Sequence, residues 1–99
     1  MVRWTRSAQI ASGKGMQAIQ WAKEITEWAN KKYNLQMKVY LDYFGEVGTI
    51  RWFVDYDSLA ALEKVSDPII GDQEYWQRVN QAADFFIEGL MVDTVMRAV

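Results

Sequence analysis

Residues 35–56, LQMKVYLDYFGEVGTIRWFVDY, read as a β-hairpin whose two faces differ in chemistry. A tight turn at Glu46 and Val47 sets Leu41 opposite Trp52, Val39 opposite Val54 and Met37 opposite Tyr56, which makes one face apolar throughout. The same register sets Asp42 opposite Arg51, Tyr40 opposite Phe53 and Lys38 opposite Asp55, so both charge pairs match in sign. A slip of one residue exchanges the faces and destroys both patterns. The second face is too aromatic for plain solvent and too charged for a monomer core.

Working outward, residues 2–10 alternate as a strand, with Val2, Trp4, Ala8 and Ile10 on one side and Arg3, Thr5, Ser7 and Gln9 on the other. Arg6 interrupts the apolar side, and a buried arginine needs a partner; Glu74 and Glu88 are the expected carboxylates, with an anionic ligand as the alternative. Ser12-Gly13-Lys14-Gly15 breaks the strand. As a phosphate cradle it lacks the spacing of a P-loop or a dinucleotide fingerprint. From Met16, apolar residues recur at helical spacing through Ile19, Ala22, Ile25, Trp28 and Ala29, and Asn34 suits a left-handed helix end.

After the hairpin, Asp57 or Ser58 caps a short helix that buries Leu59, Leu62 and Val65 and ends at Pro68. A longer helix starts at Asp72, carries Tyr75, Trp76, Val79, Ala82, Ala83, Phe86 and Ile87 along one side, and stops at Gly89. A last strand runs from Leu90 to about Val99. The order is β-α-β-β-α-β. That is an α+β, ferredoxin-like, antiparallel four-stranded sheet with helices on one face, formed as a single domain over residues 1–99. Lys38, Tyr40, Asp42, Arg51, Phe53, Asp93 and Arg97 are the residues expected on the uncovered face, as the contact between two copies of the chain.

Composition excludes more than it selects. The chain has no cysteine and no histidine, which removes disulfides, thiolate nucleophiles, the usual zinc ligands and an imidazole base. No carboxylates stand at EF-hand spacing, so no metal is expected. A formal charge of -2 offers no footprint for nucleic acid, and the 51 % apolar content exceeds what a small monomer easily hides. The first residues lack a signal-peptide core and no stretch reaches the length of a membrane span, so the expectation is a cytoplasmic protein without membrane contact.

The segments Phe44-Gly45-Glu46-Val47-Gly48, Ile50-Arg51-Trp52 and Tyr56-Asp57-Ser58-Leu59-Ala60-Ala61-Leu62, together with the strand order, resemble the dimeric α/β-barrel superfamily. Within it they look most like NIPSNAP-like proteins of unknown activity. Size and organisation are also similar to the antibiotic-biosynthesis monooxygenases. The resemblance implies a homodimer whose two sheets face each other as a barrel, with a cleft between each sheet and its own helices. In that superfamily such clefts serve cofactor-free quinol monooxygenases, haem-degrading oxygenases, muconolactone isomerases, chlorite dismutases and ligand-sensing domains. Haem-binding relatives generally use a histidine ligand, which this chain lacks.

Two functions follow as expectations. One is a homodimer that holds a small apolar or aromatic ligand between sheet and helices, with Trp4, Met37, Leu41, Trp52, Tyr75 and Phe86 as walls and no cofactor. The other is a cofactor-independent monooxygenase or isomerase for an aromatic or quinol-like metabolite, with Tyr40, Arg51 or Tyr75 orienting an oxygen atom. No catalytic residue is assigned. Against both stands the plain reading that Trp21, Trp28, Trp52 and Trp76 are core, and that Asp42/Arg51 and Lys38/Asp55 pair structurally.

Overall fold

The computed structural model describes residues 1–45 and 47–99. Its elements are β1 (Val2–Gln9), α1 (Gly15–Tyr33), β2 (Lys38–Leu41), β3 (Thr49–Tyr56), α2 (Leu59–Ile70), α3 (Gln73–Gln81), a 3-10 turn at Ala83–Phe85 and β4 (Val92–Arg97). The sheet is antiparallel in the order β2-β3-β1-β4. This is the ferredoxin-like α+β arrangement that the β-α-β-β-α-β order predicts.

α1 forms because its small and apolar residues fall on one stripe: Ala18, Ala22, Ile25, Thr26 and Ala29 are buried. The alanines let the helix lie close on the sheet, against Ala8, Ile50 and Trp52. Trp52 is buried without an orphaned polar atom, because its Nε1 donates to Thr26 Oγ1 at 3.1 Å while that hydroxyl donates to Ala22 O at 2.7 Å. Asn34 ends the helix in the left-handed region, at φ 54 and ψ 48. Asn30 then ties down the next segment, accepting from Met37 N at 2.8 Å and donating to Met37 O at 3.0 Å.

The hairpin differs from its expected register by two residues. Lys38 pairs with Phe53, Val39 with Trp52, Tyr40 with Arg51 and Leu41 with Ile50. A two-residue shift keeps every side chain on its face, so alternation alone does not detect it. The loop sets the register instead: Asp42 N donates to Thr49 O at 2.9 Å, and Gly45 and Gly48 take φ of 90° and 88° between them. Of the expected turn pair, Glu46 lies outside the described residues. Asp42 and Arg51 still meet, now diagonally, at 2.8 Å, and Tyr40 meets Phe53 edge-on at 5.5 Å. Lys38 does not pair with Asp55, which bonds Arg3 directly across β1 at 2.7 Å.

Two further boundaries differ. Ser58 is the cap of α2, accepting from Ala61 N at 3.1 Å, but the helix runs through Pro68 to Ile70 rather than ending there. Proline removes one donor without forbidding the helical turn, and the helix ends at Ile70 with Gly71 as its cap. No residue of α2 is buried, and Leu59 is 53 % exposed. α3 ends at Gln81, well before Ile87, because the chain past Ala82 tightens into the 3-10 turn and then extends from Phe86 to run beside the end of β1: Ala11 N donates to Phe85 O, Ile87 N to Gln9 O, and Phe86 bridges Ile10.

Candidate functional site

The helix side of the sheet carries Ile50, Trp52, Val54 and Tyr56 from β3 and, opposite them, Ala8, Arg6, Trp4 and Val2 from β1. The pairing of β4 with β1 sets Asp93 opposite Arg6, Val95 opposite Trp4 and Arg97 opposite Val2. Asp93 and Arg97 therefore lie on the helix side, and Val92, Thr94 and Met96 on the uncovered one. This corrects their expected place beside Tyr40 and Phe53. The alternation of the last strand is as expected; which of its faces looks outward depends on its register with β1.

The same register answers the question posed by Arg6. Its guanidinium binds Asp93 through two bonds, at 2.7 and 2.9 Å, and its Nη1 donates to Tyr75 Oη at 3.0 Å. Neither Glu74 nor Glu88 is the partner. Asp93 stands directly across the strand, and Glu74 is occupied by Arg78 at 3.1 Å and Lys32 at 3.7 Å. The Asp93 hydrogen bonds raise the Arg6 pKa above its already high ordinary value, against the opposing effect of burial, and Tyr75 adds to the rise. Arg6 is a permanent cation here.

Around this cluster the walls are aromatic. The Arg6 guanidinium stands 5.4 Å from the Trp4 ring, and Tyr75 stacks on Trp28 with centroids 6.5 Å apart. Arg78 and Lys32 lie 5.2 and 5.3 Å from that same Trp28 ring. The cluster is reachable, because the side chain of Arg6 is 28 % exposed and Val95 beside it on β4 is 49 % exposed.

The six expected wall residues separate into three places. Trp4 and Tyr75 meet at Arg6. Trp52 and Phe86 form a ring cluster with Trp21, at centroid distances of 5.7 to 6.4 Å, and this cluster fills the space between α1 and the sheet. Met37 packs on the margin of that core, while Leu41 is half exposed near the sheet edge. Of the oxygen-orienting candidates, Tyr40 and Arg51 lie on the uncovered face and only Tyr75 reaches the helix side. Asp93, missed as a site residue on this side, had one sequence signal: an acid in the only strand left to pair beside Arg6.

A second polar cluster joins α1 to α3. Asp72 caps α3 by accepting from Glu74 N at 2.9 Å, binds Lys32 at 2.7 Å and accepts from the Tyr33 hydroxyl. These bonds, led by that of Lys32, hold the Asp72 pKa down to about 2. The cluster fixes the two helices to each other. Among the described residues no group of acidic side chains is placed to hold a metal ion, and no helix is long and apolar enough to cross a membrane.

No family model matches the chain, and no curated protein sequence does. Solved structures do match. A NIPSNAP-domain protein of Burkholderia xenovorans, described as uncharacterised, superposes with a TM-score of 0.83 at 10 % identity, over 100 % of this chain and 95 % of that one. A NIPSNAP-family protein of unknown function from Agrobacterium tumefaciens gives 0.82 at 11 % identity, over 99 % and 87 %. An antibiotic biosynthesis monooxygenase gives 0.73 at 14 % identity, over 100 % and 99 %. At these identities the likeness is one of fold, and it is the fold common to NIPSNAP proteins and the antibiotic biosynthesis monooxygenases.

Proposed function

We propose that this chain works as a cytoplasmic homodimer that binds a small, uncharged, planar molecule at the Arg6–Asp93–Tyr75 cluster, between the sheet and α3. The observation that carries the reading is the guanidinium itself, held between a carboxylate and a phenol beside the Trp4 ring and still partly open to solvent. Asp93 neutralises Arg6, which disfavours an anionic ligand. Tyr75 accepts from Arg6 and so keeps its own proton for donation, and Arg6 has N–H groups beyond the three used. The free groups are donors, so the matching ligand presents an acceptor oxygen on an apolar or aromatic frame. Pairing of the uncovered faces, through Tyr40, Phe53 and the Asp42–Arg51 pair, supplies the homodimer of this reading.

Calorimetric titration with 1,4-naphthoquinone, a planar neutral acceptor, tests the site. Binding weakened at least tenfold in both Tyr75→Phe and Arg6→Met is the expected result. Affinity that both variants retain overturns it. The second reading is a cofactor-independent monooxygenase or isomerase acting on an aromatic or quinol-like metabolite. It is favoured by the same two donors, which would stabilise charge developing on a substrate oxygen, and by the monooxygenase among the structural neighbours. Oxygen uptake with the reduced quinol, lost in Tyr75→Phe, would establish it; no uptake leaves the binding reading.

A further inference from the structure

The two edges of the sheet are built differently. β2 has four residues and carries Lys38, and the charged Asp42 follows it, which is how an edge strand resists pairing with another chain. β4 has six residues, every one exposed, with Val92, Val95 and Met96 at 56, 49 and 45 %. Leu90 and Met91 extend the apolar run, at 48 and 50 % exposure. A bare apolar edge of this length invites a strand.

We propose that β4 pairs antiparallel with β4 of a second copy about a two-fold axis through Val95. The charges select that axis. Centred on Val95, the ladder sets Asp93 opposite Arg97 twice, with Thr94 opposite Met96. Centring on Asp93 or on Arg97 opposes like charges at the axis. Centring on Thr94 or Met96 sets Asp93 or Arg97 against Val95. Arg97 makes no salt bridge among the described residues, so its charge is available to the second copy. Asp93, 43 % exposed despite its bonds to Arg6, has room for a second cation. The result is one continuous eight-stranded sheet with all helices on one side, and Arg97 of the second copy completes a row Arg6–Asp93–Arg97. This contact uses the edge and leaves the uncovered face free for the pairing proposed above; it borders the Arg6–Asp93–Tyr75 site, and its test reads crosslinking rather than ligand binding.

The chain has no cysteine, so a single introduced one is a unique reporter. At the axis, Val95→Cys puts two Cα atoms about 5 Å apart, within disulfide reach; Thr94→Cys sulfurs start from Cα atoms about 8 Å apart, beyond it. Mild oxidation of the whole chain is expected to give a covalent dimer with Val95→Cys and none with Thr94→Cys. Adding Arg97→Asp to Val95→Cys opposes two acids and should slow the crosslink roughly tenfold. Adding Phe53→Glu, on the uncovered face, should leave the crosslink unchanged. No covalent dimer from Val95→Cys, equal crosslinking at residue 94, indifference to Arg97→Asp, or loss of the crosslink with Phe53→Glu would each overturn the proposal.

Discussion

The α1–β3 half of the molecule and the α2–β4 half are built to different standards. In the first, Ala18, Ala22, Ile50, Trp52 and Val54 are all at 5 % exposure or less, and the one buried indole N–H has its acceptor. In the second, neither helix α2 nor strand β4 buries a single residue. The open half is no less apolar in sequence, its helix α2 carrying Leu59, Leu62, Val65, Ile69 and Ile70, so hydropathy does not predict which half is buried. What separates them is whether the chain supplies its own cover. A half that closes on itself carries the stability of the monomer; a half left open offers contact to another molecule, since large apolar patches on small proteins mark interaction surfaces.

The sharpest test of that contrast is truncation within the closed half. Trp52→Ala should cost about 3–5 kcal/mol in urea unfolding, through lost burial and the cavity it leaves, with the bond that the indole donates to Thr26 lost as well. Loss of under about 1 kcal/mol would erase the distinction. Next in size, Phe53→Glu or Tyr40→Glu should weaken association and shift the sedimentation profile toward a smaller assembly, because an unpaired carboxylate in a buried contact costs about 3 kcal/mol or more. Glu24→Lys, on the wet side of α1, should leave that profile unchanged. Ala18→Leu should cost about 1–3 kcal/mol, since Ala18 is wholly buried where α1 meets the core.

Asp72→Asn acts on the seam between the helices. Asparagine keeps the cap but removes the ionisable group. The Asp72 pKa is about 2 in the fold against 3.8 ordinarily. Its contribution to stability is therefore full above pH 3.8 and is lost as pH falls from there through about 2. Acid unfolding of Asp72→Asn should be flatter across that window, and an identical acid limb would show that the pair with Lys32 adds nothing. Smallest of all, Leu59→Ser should change monomer stability by no more than about 0.5 kcal/mol, measured below the association range.

How much of this was legible in the residues varies with the range of the interaction. The α1 stripe, its Asn34 terminus, the Ser58 cap and the alternation of β1 and β3 are local signals and were readable. The aromatic, charged character of the uncovered face was readable for Tyr40, Asp42, Arg51 and Phe53, because alternation survives a shift of two residues. The Asp55 partner was misread, since Arg3 comes from a strand more than fifty residues away. The end of α3 was misread because its helical periodicity runs on past Ala82. There, hydrogen bonds to β1 outweigh it.

The candidate site shows the same division. An arginine on an apolar strand face announced that it needed a partner, and the residue type of that partner was foreseeable. Its identity was not.

By itself the sequence determined the element order, the fold class, the faces of the central strands and the absence of cysteine and histidine chemistry, because these follow from period-2 and period-3.6 patterning and from composition. Only the tertiary structure decided the register of the hairpin, the side of the sheet on which Asp93 and Arg97 lie, and the meeting of Arg6 with Asp93 and Tyr75. Those depend on loop length and on which strands become neighbours, and no local pattern encodes either.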